Sequence, residues 1–219
     1  MNKPLTVSAE LPPAEVSKAG QGARKPAQAR GRERFETILA AAETLLAERG
    51  NDGFSIPELA SRLSCTRTSI YHFFPTPYAI LNELTRRYLQ RLENEVGELA
   101  IGTTGQPWRV VIDDVATRVA AFYNRHPVAG MLVLGAAASN ESHQALQLSI
   151  AHLGHHVDAL MREEGVLLPR SAPDATALTV ELGTACLRLS YHLHGEVTEV
   201  YRRECAEAMI RQLARYTGD

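Results

Sequence analysis

Apolar residues recur along most of the chain at helical spacing, and no stretch alternates apolar and polar residues as a strand does. The first helical segment runs from Arg32 to Arg49 and ends before Gly50, a residue that often closes helices. Its apolar positions share one face: Phe35, Ile38, Leu39, Ala42, Leu45 and Leu46. Because this periodicity continues to the end of the chain, the sequence predicts an all-α protein.

Residues 54–74 contain two short helical segments joined by a polar turn at Ser64. Ser55 begins the first segment and Glu58 follows three residues later, so that each side chain can bond a free N–H at the helix start. Thr66 can cap the second segment. The second segment has polar leading residues and apolar inward residues: Arg67, Thr68 and Ser69, then Ile70, Phe73 and Phe74. A short amphipathic helix of this kind suits the major groove of DNA, as in a helix-turn-helix.

Six further helices are predicted after this module. Their approximate bounds are Pro77–Leu99, Trp108–Asn124, a short helix from Pro127, Ser139–Glu164, Asp174–His194 and Thr198–Tyr216. The first of them is long enough to join the module to the remaining helices.

The module and the helix before it resemble the N-terminal domain of the TetR family of bacterial transcriptional regulators. The most specific part is TRTSIYHFFPTPYAIL at residues 66–81, which is similar to the family's recognition helix, aromatic pair, Phe-Pro and next helix start. Two positions differ from the family pattern. Ser64 stands where the family often has a glycine, and Pro77 stands where many relatives have a lysine near the DNA backbone. Thr76, Tyr78 or the helix start would then contact the phosphates.

The chain is expected to have three parts. The prolines and glycines of residues 1–31 and their lack of apolar periodicity predict a disordered basic tail. The resemblance implies a three-helix helix-turn-helix domain at residues 32–78 and a helical effector-binding and dimerisation domain at residues 79–219. In relatives the last two helices of each subunit form a four-helix dimer interface. The residues that could supply it here are Leu178, Leu182, Ala185, Leu189, His192, Val200, Ala208, Met209 and Leu213, with Gly183, Thr184 and Ala206 allowing close approach. The alternative is that these faces pack on the subunit's own core.

The distribution of charge supports contact with DNA at one end of the chain. Residues 1–91 hold 13 Lys or Arg against 9 Asp or Glu, a net of plus four, whereas residues 92–219 hold 10 against 16, a net of minus six. Lys18, Arg24, Lys25, Arg30 and Arg32 follow one another without an acidic residue. Such a tail can track phosphates or serve only as a solubilising extension.

The composition argues against a membrane or secreted protein. No apolar run is long enough to span a bilayer, and prolines and acidic residues interrupt the region where a signal peptide would be hydrophobic. Three cysteines, Cys65, Cys186 and Cys205, have unrelated spacings, as in a reducing compartment. We therefore expect a cytoplasmic protein.

Seven of the eight histidines follow residue 125, which raises the possibility of a metal site. His152, His155 and His156 share a helix face, so two of them could bind one ion. No CxxC pair or carboxylate cluster completes a tetrahedral set of metal ligands. The alternatives are that these histidines line an effector cavity, lie in a dimer interface or are exposed to solvent. Glycine-rich phosphate loops and the GxSxG and HExxH motifs are absent from the sequence, and we expect neither an enzyme nor a cofactor.

Together with these observations, the resemblance implies a homodimeric repressor that binds a palindromic operator in double-stranded DNA and is released by a small-molecule effector. The residues expected at DNA are Ser55, Thr66, Arg67, Thr68, Ser69, Tyr71, His72, Thr76 and Tyr78. The residues expected around an effector, chosen for size and polarity and placed between the fifth, seventh and eighth helices, are Trp108, Phe122, Met131, His152, His156 and Tyr191. The alternatives are a metal-responsive regulator and an architectural DNA-binding protein without a ligand.

Overall fold

The computed structural model describes residues 22–135 and 139–217, and within these ranges all regular structure is helical. The helices are α1 (Ala29–Arg49), α2 (Ile56–Arg62), α3 (Arg67–Tyr71), α4 (Pro77–Gly102), α5 (Trp108–Arg125), α6 (Pro127–Ala129), which continues into a π-helical turn (Gly130–Leu134), α7 (Asn140–Glu163), α8 (Ala175–His194) and α9 (Glu199–Ala214). The predicted all-α class is confirmed. None of the helices in the described ranges is long and apolar enough to cross a membrane.

The chain is ordered from further upstream than the sequence predicted. Helix α1 begins at Ala29 instead of Arg32, and residues 22–28 run along the helix-turn-helix. The backbone N–H of Arg24 donates a 2.8 Å hydrogen bond to the carbonyl of Phe73, and Ala23 packs against the core. The predicted disorder therefore does not extend to residues 22–31, because these contacts depend on a distant partner that composition does not reveal. Residues 1–21 lie outside the described residues.

A small aromatic and aliphatic core holds α1, α2 and α3 together. Phe35 stacks on Phe74 with ring centroids 4.6 Å apart, and Ile38, Leu59 and Ile70 are fully buried beside them. These are the inward positions that the helical periodicity predicted. The core fixes the angle between α2 and α3, so the polar leading end of α3 faces outward.

Helix α4 joins this core to the rest of the molecule, and a charged cluster fastens it to α1. Arg87 donates hydrogen bonds of 2.6 and 2.7 Å to the carboxylate of Glu36 on α1 and one of 3.0 Å to Glu83. Burial alone would raise the pKa of Glu83, but hydrogen bonds from Arg86 and Arg87 outweigh it and hold that pKa below its ordinary value. Glu83 is therefore a buried carboxylate that stays charged and paired at neutral pH.

Helices α4 and α7 lie side by side and run in the same direction. The side chain of Asn82 donates a 2.6 Å hydrogen bond to Glu141, and Glu93 lies 3.2 Å from the ring of His152. Both pairs are separated by 59 residues along the chain. A constant offset along two helices means that their C-terminal ends lie together.

Helices α8 and α9 form an antiparallel pair whose turn is held by α5. Gly195 closes α8 with φ of 74°, a conformation that glycine adopts without strain. The side chain of Asn124 on α5 donates a 2.8 Å hydrogen bond to the carbonyl of Val197 and accepts one of 2.9 Å from its N–H. The two helices approach closely at Gly183, where an added Cβ would lie 2.8 Å from the sulfur of Met209.

Asp174 at the start of α8 generates a prediction about stability. Its carboxylate accepts hydrogen bonds from the N–H groups of Thr176 and Ala177, at 2.9 and 3.0 Å, and from the Thr176 hydroxyl at 2.7 Å. We expect Asp174→Ala to lower the free energy of unfolding by about 0.5–2 kcal/mol at pH 7, the usual cost of losing an N-cap. Chemical denaturation monitored by circular dichroism measures this loss.

The same site gives a dependence on pH with a defined sign. Hydrogen bonds, first from the N–H of Ala177 and then from the Thr176 side chain, hold the pKa of Asp174 below its ordinary value. Because the folded pKa lies below the unfolded one, the charge contributes fully above about pH 4, and this contribution is lost as pH falls through the folded pKa. Asp174→Asn keeps a capping oxygen without the charge, so its deficit relative to the wild type should shrink in acid. An unchanged deficit would contradict the role assigned to the carboxylate.

Candidate nucleic-acid interface and effector cavity

The turn before α3 adopts a backbone conformation that usually calls for glycine. Ser64 has φ of 48°, in the left-handed region, at the position where the sequence departs from the family's glycine. A residue with a side chain costs about 1 kcal/mol there. The turn is nevertheless formed, because α2 and α3 are anchored by the buried side chains on either side. The substitution of glycine by serine therefore leaves the helix-turn-helix geometry intact.

Helix α3 presents a polar end that the fold does not use for its own packing. Thr66 caps the helix, accepting a 3.3 Å hydrogen bond from the N–H of Ser69, and the two hydroxyls are 2.9 Å apart. Arg67, Thr68 and Tyr71 are exposed on the same helix. Two acidic residues of α1 and α2 have arginine partners: Glu48 pairs with Arg62, and Glu58 with Arg49. The arrangement leaves a guanidinium and several hydroxyl groups facing solvent.

The other residues expected at DNA have a structural role or flank this end. Ser55 and Thr76 are half-buried and cap α2 and α4, accepting hydrogen bonds of 3.3 and 3.1 Å from backbone N–H groups. His72 is exposed, with its ring edge-on to Phe73 at 4.8 Å. Tyr78, in the first turn of α4, is 52% exposed. Six of the nine predicted residues therefore lie within α3 or directly next to it along the chain, Tyr78 is exposed on α4, and Ser55 and Thr76 mainly position the helices.

A basic cleft beside α3 was not recognised in the sequence. It is lined by Arg30, Glu33, Arg34 and Thr37 on α1 and by Ser69, His72 and Phe73 on the other side, so two arginines outnumber one glutamate. The two arginines are four residues apart, which places them on one face of α1. That spacing was the available signal, but it becomes informative only when α1 is known to start at Ala29 and to lie beside α3. The cleft lies between two helices, and the net positive charge of its lining would attract a phosphate group.

A second feature is an apolar cavity in the second domain, between α4, α5, α7, α8 and α9. Its volume is about 120 Å³, several times the roughly 15 Å³ that one water molecule needs on this measure. Most of the lining is aliphatic: Val96, Ala100, Val111, Ile112, Val115, Ala116, Val119, Leu153, Val157, Ala159, Leu160, Val180, Gly183, Leu187 and Met209. The remaining lining residues are Thr103, Thr104, His156, Glu163, Thr184 and Cys205. Burial raises the pKa of the Cys205 thiol to about 12, so this group is neutral.

The structure places only one of the six predicted effector residues on this cavity. His156 lines it, next to Gly97, where an added Cβ would lie 3.4 Å from the imidazole. His152 instead points outward and contacts Glu93. The prediction that the cavity lies between the fifth, seventh and eighth helices agrees with its walls.

The aromatic residues expected around an effector fill the core instead. Phe122 is 1% exposed and packs against Tyr88 and His126. Trp108 is buried at the start of α5. Tyr191 lies against Gly130, where an added Cβ would come within 2.9 Å of the ring, and Met131 in the π-helical turn is half-buried. Size and polarity were therefore poor criteria for predicting the residues around the cavity. Large aromatic rings pack where helices meet, whereas mostly aliphatic side chains enclose the cavity.

The residues expected at the dimer interface divide into two groups. On α8, Leu182 and Leu189 are 37% and 49% exposed, and Ala185 lies exposed between them. Met209 and Leu213 on α9 are 6% and 0% exposed. These two pack inside their own subunit, so assigning them to the interface was wrong. They occupy the face of α9 that covers α8 and the cavity.

The structure separates the three histidines that could have formed a metal site. His152 contacts Glu93, His155 is exposed, and His156 faces the cavity. In residues 22–135 and 139–217, no three His, Cys, Asp or Glu side chains come together in positions that could hold a metal ion.

Comparison with known proteins finds a family profile that matches the helix-turn-helix segment. The sequence profile of the bacterial regulatory proteins of the tetR family matches residues 38–84, from within α1 to the start of α4. No curated protein sequence matches the chain.

Solved structures share the architecture beyond the matched segment. A TetR-family transcriptional regulator from Streptomyces coelicolor is 21% identical with a TM-score of 0.65, over 84% of this chain and 99% of that one. SmeT, the repressor of the Stenotrophomonas maltophilia multidrug efflux pump SmeDEF, is 20% identical with a TM-score of 0.56, over 83% and 89%. A complex of SmeT with triclosan gives a TM-score of 0.54 at 18% identity, over 84% and 91%. The chain therefore contains a helix-turn-helix segment that matches the tetR-family profile, and its described residues share the fold of these solved regulators.

Proposed function

We propose that the protein is a homodimeric repressor that binds a palindromic operator in the cytoplasm and is released by a small molecule bound in the apolar cavity. The observation that carries this proposal is the course of α4. Its first half packs in the DNA-binding core through Ile80, Leu81 and Leu84, and its second half lines the cavity through Val96 and Ala100. The same rigid element therefore contacts both the groups that read DNA and the groups that would sense a ligand.

The length and attachment of α4 support this coupling. A helix of 26 residues spans about 39 Å at 1.5 Å per residue. The bonds from Arg87 to Glu36 tie α4 to α1, whose N-terminal end lies beside α3. A ligand that displaces the cavity end of α4 would therefore also move α1 and α3, and it would lower operator affinity by the difference in its affinity for the two arrangements.

Two other features favour a ligand-responsive regulator over the alternatives. An architectural protein without a ligand needs no internal cavity, whereas this one has an aliphatic cavity at the end of the connecting helix. SmeT, a fold neighbour, forms a complex with triclosan, which supports a small apolar effector for this chain. A metal-responsive mechanism has no such support, since the three clustered histidines face in different directions.

We retain the division near residue 78 between the DNA-binding and effector-binding parts, with the first part beginning at Ala29. The two parts share α4, so the boundary separates functions and not independent cores. The basic test of the proposal is fluorescence anisotropy with an operator selected from random duplex DNA. Specific binding that no small molecule from a broad library reverses would favour the architectural alternative.

Arg67 is the residue from which we expect base contact. Arg67→Ala should reduce discrimination between the operator and random DNA by about 1–3 kcal/mol, the usual contribution of one good base contact. Binding titrations on both DNAs measure this. Arg125→Ala, which removes an exposed arginine on α5, is the matched control and should leave discrimination unchanged. Equal losses on both DNAs would instead assign Arg67 to a phosphate.

Arg34 should contact phosphate from the cleft between α1 and α3. Arg34→Ala should weaken binding to every sequence by a similar factor and reduce the slope of log affinity against log salt by about 1, because one fewer counterion is released. Titrations between 50 and 200 mM salt measure the slope. A loss confined to the operator, or an unchanged slope, would remove Arg34 from the set of phosphate contacts.

The exposed leucines of α8 should form the dimer interface. Leu189→Glu would place a charge without a partner inside that interface and should weaken association by several kcal/mol. Sedimentation at micromolar concentration should then show helical monomers that bind the operator weakly. Leu167→Glu is the control, because Leu167 is 73% exposed in the loop before α8. A Leu189→Glu variant that remains dimeric would place the interface elsewhere.

A further inference from the structure

The lining of the cavity contains a negative charge that no positive charge balances among the described residues. Among the described residues that line it, Glu163 carries the only formal charge, and none is a lysine or arginine. Such a wall favours a neutral or positively charged ligand and disfavours an anion. This inference rests on the proposed effector role of the cavity and concerns the chemical class of the effector.

The register of α4 and α7 shows where Glu163 lies. Asn82 meets Glu141 and Glu93 meets His152 at an offset of 59 residues, and Gly97 meets His156 at the same offset, since 156 minus 97 is 59. Continued to the helix ends, this offset places Thr104 beside Glu163. Both residues line the cavity. One end of the cavity is therefore polar and formed where α4 and α7 terminate.

The rest of the cavity has a different character. His156 lies two turns deeper than Glu163 on the same face of α7, and beyond it the walls are aliphatic, including Val115, Val119 and Leu153. Glu163 itself is exposed to solvent. A ligand that fits this profile has an apolar body and a polar head that keeps part of its hydration.

Helix dipoles do not reverse this preference. The C-terminal ends of α4 and α7 carry partial negative charge at the polar end, while α5 begins nearby at Trp108 and contributes partial positive charge. The hydroxyls of Thr103 and Thr104 already bond carbonyls of the last turn of α4. Two helix ends outweigh one helix start, so the helix dipoles leave a partial negative charge that adds to the charge of Glu163.

We propose that the cavity takes an amphiphile with a cationic head, such as a primary ammonium group, with the head at Glu163 and the hydrocarbon body among the aliphatic side chains. An anionic amphiphile of the same shape would bring its carboxylate against that of Glu163. A neutral alcohol would gain the apolar contacts alone.

Three probes of eight carbon atoms each test the proposal: octylammonium, octanol and octanoate, titrated into the full-length protein by calorimetry. An exposed ion pair contributes a factor of a few to binding, and a like-charge pair opposes it by a similar factor, so octylammonium should bind about tenfold more tightly than octanoate. Octanol should lie between them.

Two variants and a control assign the effect to this site. Glu163→Gln keeps the shape of the side chain and should bring the three affinities close together. Glu164→Gln removes the adjacent exposed carboxylate, which does not line the cavity, and should preserve the wild-type ratio. Val115→Phe should fill the cavity and abolish binding of all three probes, while circular dichroism verifies that the variant is folded.

Equal affinities for octylammonium and octanoate in the wild type, a preference that survives in Glu163→Gln, or no binding of any probe would each overturn the proposal. Release of the protein from operator DNA is measured separately by anisotropy. Binding of octylammonium without release would contradict the effector role of the cavity and leave its charge preference standing.

Discussion

Helix α4 runs through both ends of one continuous hydrophobic core, and this constraint organises the molecule. Its N-terminal half buries Leu81 and Leu84 against the helix-turn-helix, and its C-terminal half buries Leu92 and Val96 in the second domain. A helix with both ends buried cannot tilt at one end and remain still at the other. The orientation of α3 and the shape of the cavity are therefore properties of one rigid body.

The charges around α4 strengthen the same connection. Glu83 is 6% exposed, yet it stays ionised because Arg86 and Arg87 bond it, and Arg87 continues to Glu36 on α1. Breaking such a cluster by removing one partner leaves an uncompensated buried charge, which costs more than an exposed ion pair contributes. The cluster thus limits how α1 can move relative to α4, and α1 carries the basic residues beside α3.

The cavity shows how close packing and an open space coexist in one domain. Aromatic rings fill the junction near the DNA-binding domain, where Phe122, Tyr88 and His126 contact one another. Around the cavity many of the residues are valines and alanines, and their short side chains leave space between five helices unfilled. The small side chains of one layer therefore leave an open space, while the aromatic layer next to the DNA-binding part stays closely packed.

The sequence by itself determined the helical class, the helix-turn-helix and most of its surface. Local signals decide these features: the caps at Ser55 and Thr66, the apolar face of α1 and the polar end of α3 depend on residues within one or two turns. Only the tertiary structure decided which apolar residues meet. Met209 and Leu213 are buried inside the subunit, whereas Leu182 and Leu189 are exposed. The cavity is lined by aliphatic residues and not by the aromatic ones, and Arg34 lies beside α3. These outcomes depend on how each helix is rotated relative to several neighbouring helices. Periodicity predicts which face of a helix is buried, but it does not predict which residues of other helices pack against that face.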